Sequence, residues 1–430
     1  MRIATLTPET QKGILQELLK RSPNHYGQYE KAVAQIIQDV REKGDEALFS
    51  YTEQFDRCRL SKESIRVTPE EIEEACASCD AAFLAAMERS AANIRAFHEK
   101  QKRNGWFETR PDGTILGMRI LPIASAGVYV PGGKAAYPSS VLMNVLPAKA
   151  AGVERIIMCT PPGADGKVNP GTLAAAKIAG VDEIYKAGGA QAIAAMAFGT
   201  ESVPKVDKIT GPGNIFVALA KKACFGHVSI DSVAGPSEIL VIADESANPR
   251  YIAADLLSQA EHDELASAIL ITTSRTIAEK VSAEIDGFLE KLSRQDIIQK
   301  SLDNYGYILL AKDLDEAAET ANQIASEHLE ILTKDPFSVM TKIKNAGAVF
   351  LGEYSSEPLG DYFAGPNHVL PTNGTARFFS PLNVDDFVKK TSLISYSREA
   401  LFKAHEDIEC FAEHEGLTAH ANSVRVRFER

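Results

Sequence analysis

The sequence has little that would mark a membrane, secreted or nucleic-acid-binding protein. No apolar run in its 430 residues approaches the roughly 20 needed to span a bilayer. The opening segment Met1-Arg2-Ile3-Ala4-Thr5-Leu6-Thr7 has no signal-peptide core, so the expected compartment is the cytoplasm. Basic excess is missing: 46 Lys and Arg against 58 Asp and Glu leave a net charge of −12, which argues against a nucleic-acid partner except through a local basic patch. Cysteine is sparse, six residues scattered along the chain, as suits a reducing compartment. Cys76 and Cys79 form a CxxC, but no second pair completes a zinc site, and they read as two thiols on a helix. The six-residue GxGxxG of dinucleotide folds is absent, as are tandem repeats and low-complexity tracts.

What is present is the composition of a globular protein, 45% hydrophobic and 24% charged, long enough for about two to four domains. The first 110 residues are mostly helical in pattern, with helix-like apolar spacing over Tyr29–Phe55 and Pro69–Phe97. Thr68, Pro69 and Glu71 form the capping box that starts the second of these. From about residue 118 the pattern changes. Short β-rich runs (Met118–Pro122, Gly127–Val130, Arg155–Cys159, Glu183–Ala187, Lys205–Ile209) alternate with Ala-rich helical stretches, the signature of βαβ units and a mostly parallel sheet. A second series follows, with strands expected at Glu238–Ala243, Ala268–Thr272, Tyr307–Ala311 and Gly347–Phe350. Two such units predict an active site in a crevice at the carboxyl edges of their strands. Residues 352–381 form a Gly-, Pro- and Asn-rich segment of a length that is uncommon without a function.

Several polar clusters stand out. A helix predicted over Ala253–His262 places Gln259 and His262 three apart on one face, an amide oxygen and an imidazole aimed at one point. Glu327-His328 joins a predicted helix (Asp315–Ala325) to an apolar strand, an acid and an imidazole able to exchange protons near neutrality; alone, the pair fits a solvated helix end as well. Asp361 and His368 lie in a glycine-bearing loop that suits a small polar ligand or an ordinary surface turn. Ser237 sits in a turn before a strong strand, as a structural residue or as a polar wall of the pocket. Tyr129, Gln191 and Asn214 lie on three glycine turns at strand ends (127–133, 188–191, 211–214), which favours a nucleotide-sized ligand because backbone amides at helix starts attract phosphate. Tight structural turns fit the same spacing. The stretch Glu415–His420 is polar and glycine-containing.

Taken in order, these segments resemble the L-histidinol dehydrogenase family over essentially the whole chain. The resemblance is carried by Ile230–Glu238 running through Asp255–Asp263, by Ser326–Glu330, by Gly365–Pro371 and by Glu415–Leu417. It implies an α/β fold of two incomplete Rossmann-like domains with a helical N-terminal segment and a small helical C-terminal tail domain. The implied division is an arm over 1–24, a catalytic, zinc-binding domain from 25–129 plus 238–381, an inserted NAD-binding domain over 130–237, and a tail over 382–430 exchanged across a homodimer. The implied zinc ligands, for one Zn2+ per subunit, are Gln259, His262, Asp361 and His420, the last donated from the other subunit. The implied catalytic pair is Glu327 and His328. Substrate contacts would come from Ser237, Gln259, His262, His328, Asp361, His368, Glu415 and His420, and NAD contacts from Tyr129, Gln191 and Asn214. The implied substrate is L-histidinol, oxidised twice, with no nucleic-acid or membrane partner. The rival readings are a dehydrogenase for another small alcohol, a zinc hydrolase, and a binding protein without catalysis.

Overall fold

The computed structural model describes residues 1–19, 21, 27–132 and 136–429. Its strands, in chain order, are β1 (Arg2–Thr5), β2 (Trp106–Thr109), β3 (Ile115–Pro122), β4 (Ser125–Tyr129), β5 (Arg155–Thr160), β6 (Glu183–Lys186), β7 (Lys208–Thr210), β8 (Ser229–Ile230), β9 (Glu238–Ala243), β10 (Ser267–Thr272), β11 (Gly306–Leu310), β12 (His328–Leu332), β13 (Ala348–Leu351) and β14 (Val388–Ser395). Residues 1–101 with 123–387 make one compact unit, and 102–122 with 388–430 a second.

The first unit holds two parallel sheets. The larger has strand order β1-β11-β10-β9-β12-β13, the smaller β6-β5-β4-β7-β8. β9 and β10 are buried at every position. Burial on both faces is why Glu-Ile-Leu-Val-Ile-Ala reads as a continuous apolar run instead of alternating. Each fully buried Ile or Leu there contributes roughly 1.5–3 kcal/mol. In each sheet successive strands add on both sides of a central one: β10 and β12 flank β9, and β5 and β7 flank β4. In open parallel sheets such switch points are where ligands bind.

The helices Gly27–Lys43 and Asp45–Asp56 pack Val33, Ile36, Val40 and Leu48 against the helices Gly189–Phe198 and Ile215–Cys224, in the core on one side of the smaller sheet. Pro69–Ser78 and Ala81–Glu99 pack Ala75, Met87, Ala91 and Ile94 against Pro138–Ala151 and Pro170–Ala179, in the core on its other side. The Thr68 capping box forms as expected, with Glu71 N–H donating to Thr68 Oγ1 at 3.3 Å and Thr68 N–H to Glu71 Oε2 at 2.9 Å. The implied helical arm begins as a strand: β1 pairs in parallel with β11 at the edge of the larger sheet.

The second unit is a three-stranded antiparallel sheet, β14-β3-β2, with the helices Arg398–His414 and Thr418–Arg425. Two expectations change here. Residues 118–122 extend a strand of this antiparallel sheet and do not begin the parallel series. The tail is not wholly helical, since β14 pairs with β3 along eight positions, from Val388 to Ser395. Its strand face is exposed and alternates poorly, so sequence pattern alone does not reveal it.

Candidate active site

The most concentrated chemistry lies at the amino ends of β9 and β12, not at the carboxyl edge that the βαβ pattern predicts. Glu238 opens β9 and His328 opens the neighbouring β12. The helix Leu314–Ile324 ends at Ala325, which adopts a left-handed φ of 54°. That reversal turns the chain so that Glu327 and His328 enter the sheet side by side with Glu238. Gly347 lies against this corner: a Cβ there would meet the Glu327 carbonyl oxygen at 2.4 Å.

Glu327 and Glu238 exchange bonds. Glu238 N–H donates to Glu327 Oε2 at 2.9 Å, and Glu327 N–H donates to Glu238 Oε2 at 3.3 Å. Glu238 is also ion-paired with the buried Arg21. His328 Nδ1 lies 3.0 Å from the Glu238 carbonyl oxygen. A carbonyl can only accept, so Nδ1 carries the proton in that bond. Nε2 is buried without a hydrogen-bond partner; Asp361 Oδ1 stands 3.6 Å from it and Glu357 Oε1 3.9 Å.

Burial shapes the titration of every group here. It pushes the Glu327 carboxyl up to about 8 against the opposing pull of His328. Burial alone would lower His328, but the Glu327, Asp361 and Glu357 carboxylates outweigh it and raise the imidazole to about 10. Burial would raise Asp361, yet the His328 imidazole beside it and the His368 charge hold it down at about 2. Perturbations of this size cluster at functional sites.

Gln259 and His262 come from the end of the helix Pro249–Ala260, which Asn248 caps and Pro249 starts. That helix stops two residues short of His262; a tight turn with His262 N–H on the Gln259 carbonyl, 3.2 Å, carries the chain past it. The Gln259 side chain is 1% exposed, and its Oε1 has no partner. His262 opens to a cavity of 770 Å3, also lined by Tyr137, Arg294, Tyr362 and Phe363. Desolvation lowers its pKa, and the Asp361 carboxylate opposes this.

Asp361 belongs to the short helix Glu357–Tyr362. The segment that follows folds back on it: His368 Nδ1 donates to the Asp361 carbonyl at 3.1 Å. His368 Nε2 meets Ser140 Oγ at 3.3 Å. Ser140 is in the first turn of Pro138–Ala151, the helix that follows β4. Asn367 Nδ2 donates to Met143 O of that helix at 2.6 Å, so the site segment is tied to the layer over the smaller sheet. Ser237 is half-buried just before β9, its carbonyl accepting from Ser267 N–H at 3.0 Å.

Tyr129, Gln191 and Asn214 lie at the carboxyl ends of the smaller sheet. The Tyr129 hydroxyl accepts from Gly189 N–H at 3.0 Å. Gly211 has φ +119°, and a Cβ there would lie 2.0 Å from the Tyr129 carbonyl oxygen, so only glycine lets those two strand ends touch. Gln191 is buried with Oε1 unpartnered. Asn214 caps the helix Ile215–Cys224, accepting from Phe216 and Val217 N–H. Gly133, at the end of the first glycine turn, lies outside the described residues. Glu415, the C-cap of Arg398–His414, and His420, in Thr418–Arg425, are both exposed residues of the second unit.

Among the described residues, donor atoms of His328, Glu357 and Asp361 all lie within 4.8 Å of one another and could hold a divalent cation. Of the four expected zinc ligands only Asp361 is in that group; Gln259 Oε1 is a buried oxygen without a partner, and mixed N and O donors suit zinc. The glycine cradle around Tyr129 likewise fits a ligand's phosphates. Sequence reasoning missed Glu357 and the Arg21–Glu238 pair. Glu357 had one signal, its i, i+4 spacing from Asp361.

Two parallel sheets with a buried acid–imidazole cluster and candidate metal donors define an α/β protein whose cluster could serve proton transfer. Comparison with known proteins narrows this. The family model for histidinol dehydrogenase matches residues 19–428. The chain is 59% identical to histidinol dehydrogenase of Halalkalibacterium halodurans over 93% of this chain and 94% of that one. It is 56% identical to that of Listeria monocytogenes over 97% and 98%. The crystal structure of histidinol dehydrogenase from Elizabethkingia anophelis superposes with a TM-score of 0.93 at 38% identity, covering 99% of this chain and 98% of that one. The chain belongs to the histidinol dehydrogenase family, and it is an oxidoreductase of histidine biosynthesis. Among the described residues, no helix is long and apolar enough to cross a membrane.

Proposed function

We propose that the protein oxidises L-histidinol to L-histidine by way of the aldehyde, using two NAD and one zinc ion per subunit, as a cytoplasmic homodimer whose sites draw on both chains. The observation that carries this reading is His328. Its Nδ1 proton is committed to the Glu238 carbonyl, and its Nε2 is buried, unpartnered and flanked by Asp361 and Glu357. An imidazole fixed in that tautomer offers a lone pair to one place only.

His328 Nε2 takes the proton of the substrate alcohol in the first oxidation and of the hydrated aldehyde in the second. Glu327 removes a proton from the water that adds to the aldehyde; its raised pKa suits it to pass that proton on near neutrality. Gln259, His262, Asp361 and the partner subunit's His420 hold the zinc. Zinc held there would supply a fixed positive charge able to attract the substrate's nitrogen donors and to offset the carboxylates around His328. Ser237, His368 and Glu415 position the substrate. Tyr129, Gln191 and Asn214 would hold NAD, which would supply the hydride acceptor. Residues 130–237 make up the NAD-binding part, and the tail over 382–430 is exchanged between subunits.

The test pairs metal analysis of the purified protein with NADH formation from histidinol, with and without a chelator. Stoichiometric zinc and chelator-sensitive NADH formation are expected. Turnover of simple diols as fast as histidinol would favour a different dehydrogenase, and absence of zinc would overturn the metal assignment.

A further inference from the structure

Glu357 is not among the zinc ligands of the scheme above, yet it is well anchored near the site. It is 2% exposed and sits in the first turn of the six-residue helix that also carries Asp361. Four residues apart, the two carboxylates share a helix face. Two elements, the helix Pro249–Ala260 and β12, hold it. Ser258 Oγ, on the helix that bears Gln259, donates to Glu357 Oε2 at 2.9 Å. Its own backbone N–H donates to Glu330 Oε1, from the middle of β12, at 2.8 Å. Its other oxygen, Oε1, stands 3.9 Å from His328 Nε2.

A buried carboxylate is costly unless something uses it. Here the surroundings point to a ligand: His328 Nε2 and Gln259 Oε1 are both more than nine-tenths buried and both lack partners, and Glu357, Asp361 and His328 present donor atoms within 4.8 Å of one another. Ser258 and Gln259 are adjacent, so the bond from Ser258 couples the placement of the Gln259 helix end to the placement of the Asp361 helix.

We propose that Glu357 is a positioning residue of the metal centre, clamped by Ser258 so that it holds the Asp361 helix and the His328 imidazole in register with Gln259. The proposal rests on the zinc reading above and refines it. Partners of metal ligands typically contribute 10–100-fold to metal affinity or activity. A residue that only stabilised the helix would change neither once the protein is folded.

The experiment compares wild-type protein, Glu357→Gln and Ser258→Ala. Zinc affinity is read by competition with a chromogenic chelator, kcat and both KM values are read at saturating zinc, and melting of the metal-free protein is followed in parallel. Glu357→Gln is expected to weaken zinc binding about 10–100-fold and to lower kcat by about tenfold or more at saturating zinc, with KM for NAD unmoved. Ser258→Ala, which removes only the clamp, is expected to show the same pattern in smaller measure. Wild-type zinc affinity and kcat in a folded Glu357→Gln protein would overturn the proposal. If that variant melts early, unchanged zinc affinity in Ser258→Ala overturns it instead. A wild-type protein without zinc would sink the metal reading itself, a result separable from either of these.

Discussion

His328 and Glu238 open neighbouring parallel strands, and the Nδ1 proton of one is bound to the backbone carbonyl of the other at 3.0 Å. Because the acceptor is main chain, no substitution at 238 removes it, and the orientation of the imidazole is built into the strand pairing.

If that imidazole is the shared base, His328→Asn slows both oxidations by about 10²–10⁴-fold. Glu327→Gln spares alcohol oxidation relative to aldehyde oxidation. Single-turnover NADH formation, started separately from histidinol and from the aldehyde, checks both; equal losses in the two half-reactions of the Glu327 variant would contradict the division of roles.

Zinc and activity are expected to disappear together in His262→Asn. Elemental analysis of the purified variant is the measurement, and a full zinc complement would remove His262 from the ligand set.

Mixing inactive His420→Asn chains with inactive His328→Asn chains tests the shared site. Hybrid dimers are expected to regain part of the activity, because one of their two sites has both residues intact. No recovery after subunit exchange would mean that each site is built from one chain.

The Arg21–Glu238 pair makes a stability prediction. Burial drives the Glu238 pKa up and Arg21 pulls it down, so Arg21→Met strands a carboxylate inside the protein. The expected cost is about 3–5 kcal/mol, read from urea denaturation. A change below about 1 kcal/mol would show that the carboxylate is not isolated there.

Asp56 gives a pH signature. Burial raises its pKa from 3.8 to about 6, and its Oδ2 has no hydrogen-bond partner. The folded pKa lies above the unfolded one, so the folded state binds this proton more tightly, and stability falls as pH climbs from about 4 to 6. Asp56→Asn removes that loss. With its partial exposure discounted, the gain is on the order of 1 kcal/mol, growing across that interval and flat above it. Thermal melts at pH 4, 5, 6 and 8 are the check.

What the sequence made legible follows physical lines. β9 and β10 were readable because central parallel strands are buried on both faces. The helix Ile215–Cys224 was readable because Asn214 caps it. Glu327, His328 and the metal candidates stand out in the sequence because their residue types have few bland uses in combination. β1 and β14 escaped because short or exposed strands need no regular apolar pattern. Glu357 escaped because a six-residue helix is too short to show periodicity within a Gly-, Pro- and Asn-rich stretch. The placement of His328 beside Glu238 is not legible because strand order is set by contacts between segments far apart in the chain.

That strand order bears on how the chain acquires its structure. All strands of the smaller sheet lie between residues 125 and 230, whereas the larger sheet needs β1 and then waits for β9 to β13, ending at Leu351. A chain emerging from the ribosome completes the first sheet while the second still has one edge strand and no neighbours for it. The half that carries His328 is therefore the late and slow half, and its long-range pairing makes it the part most exposed to misassembly.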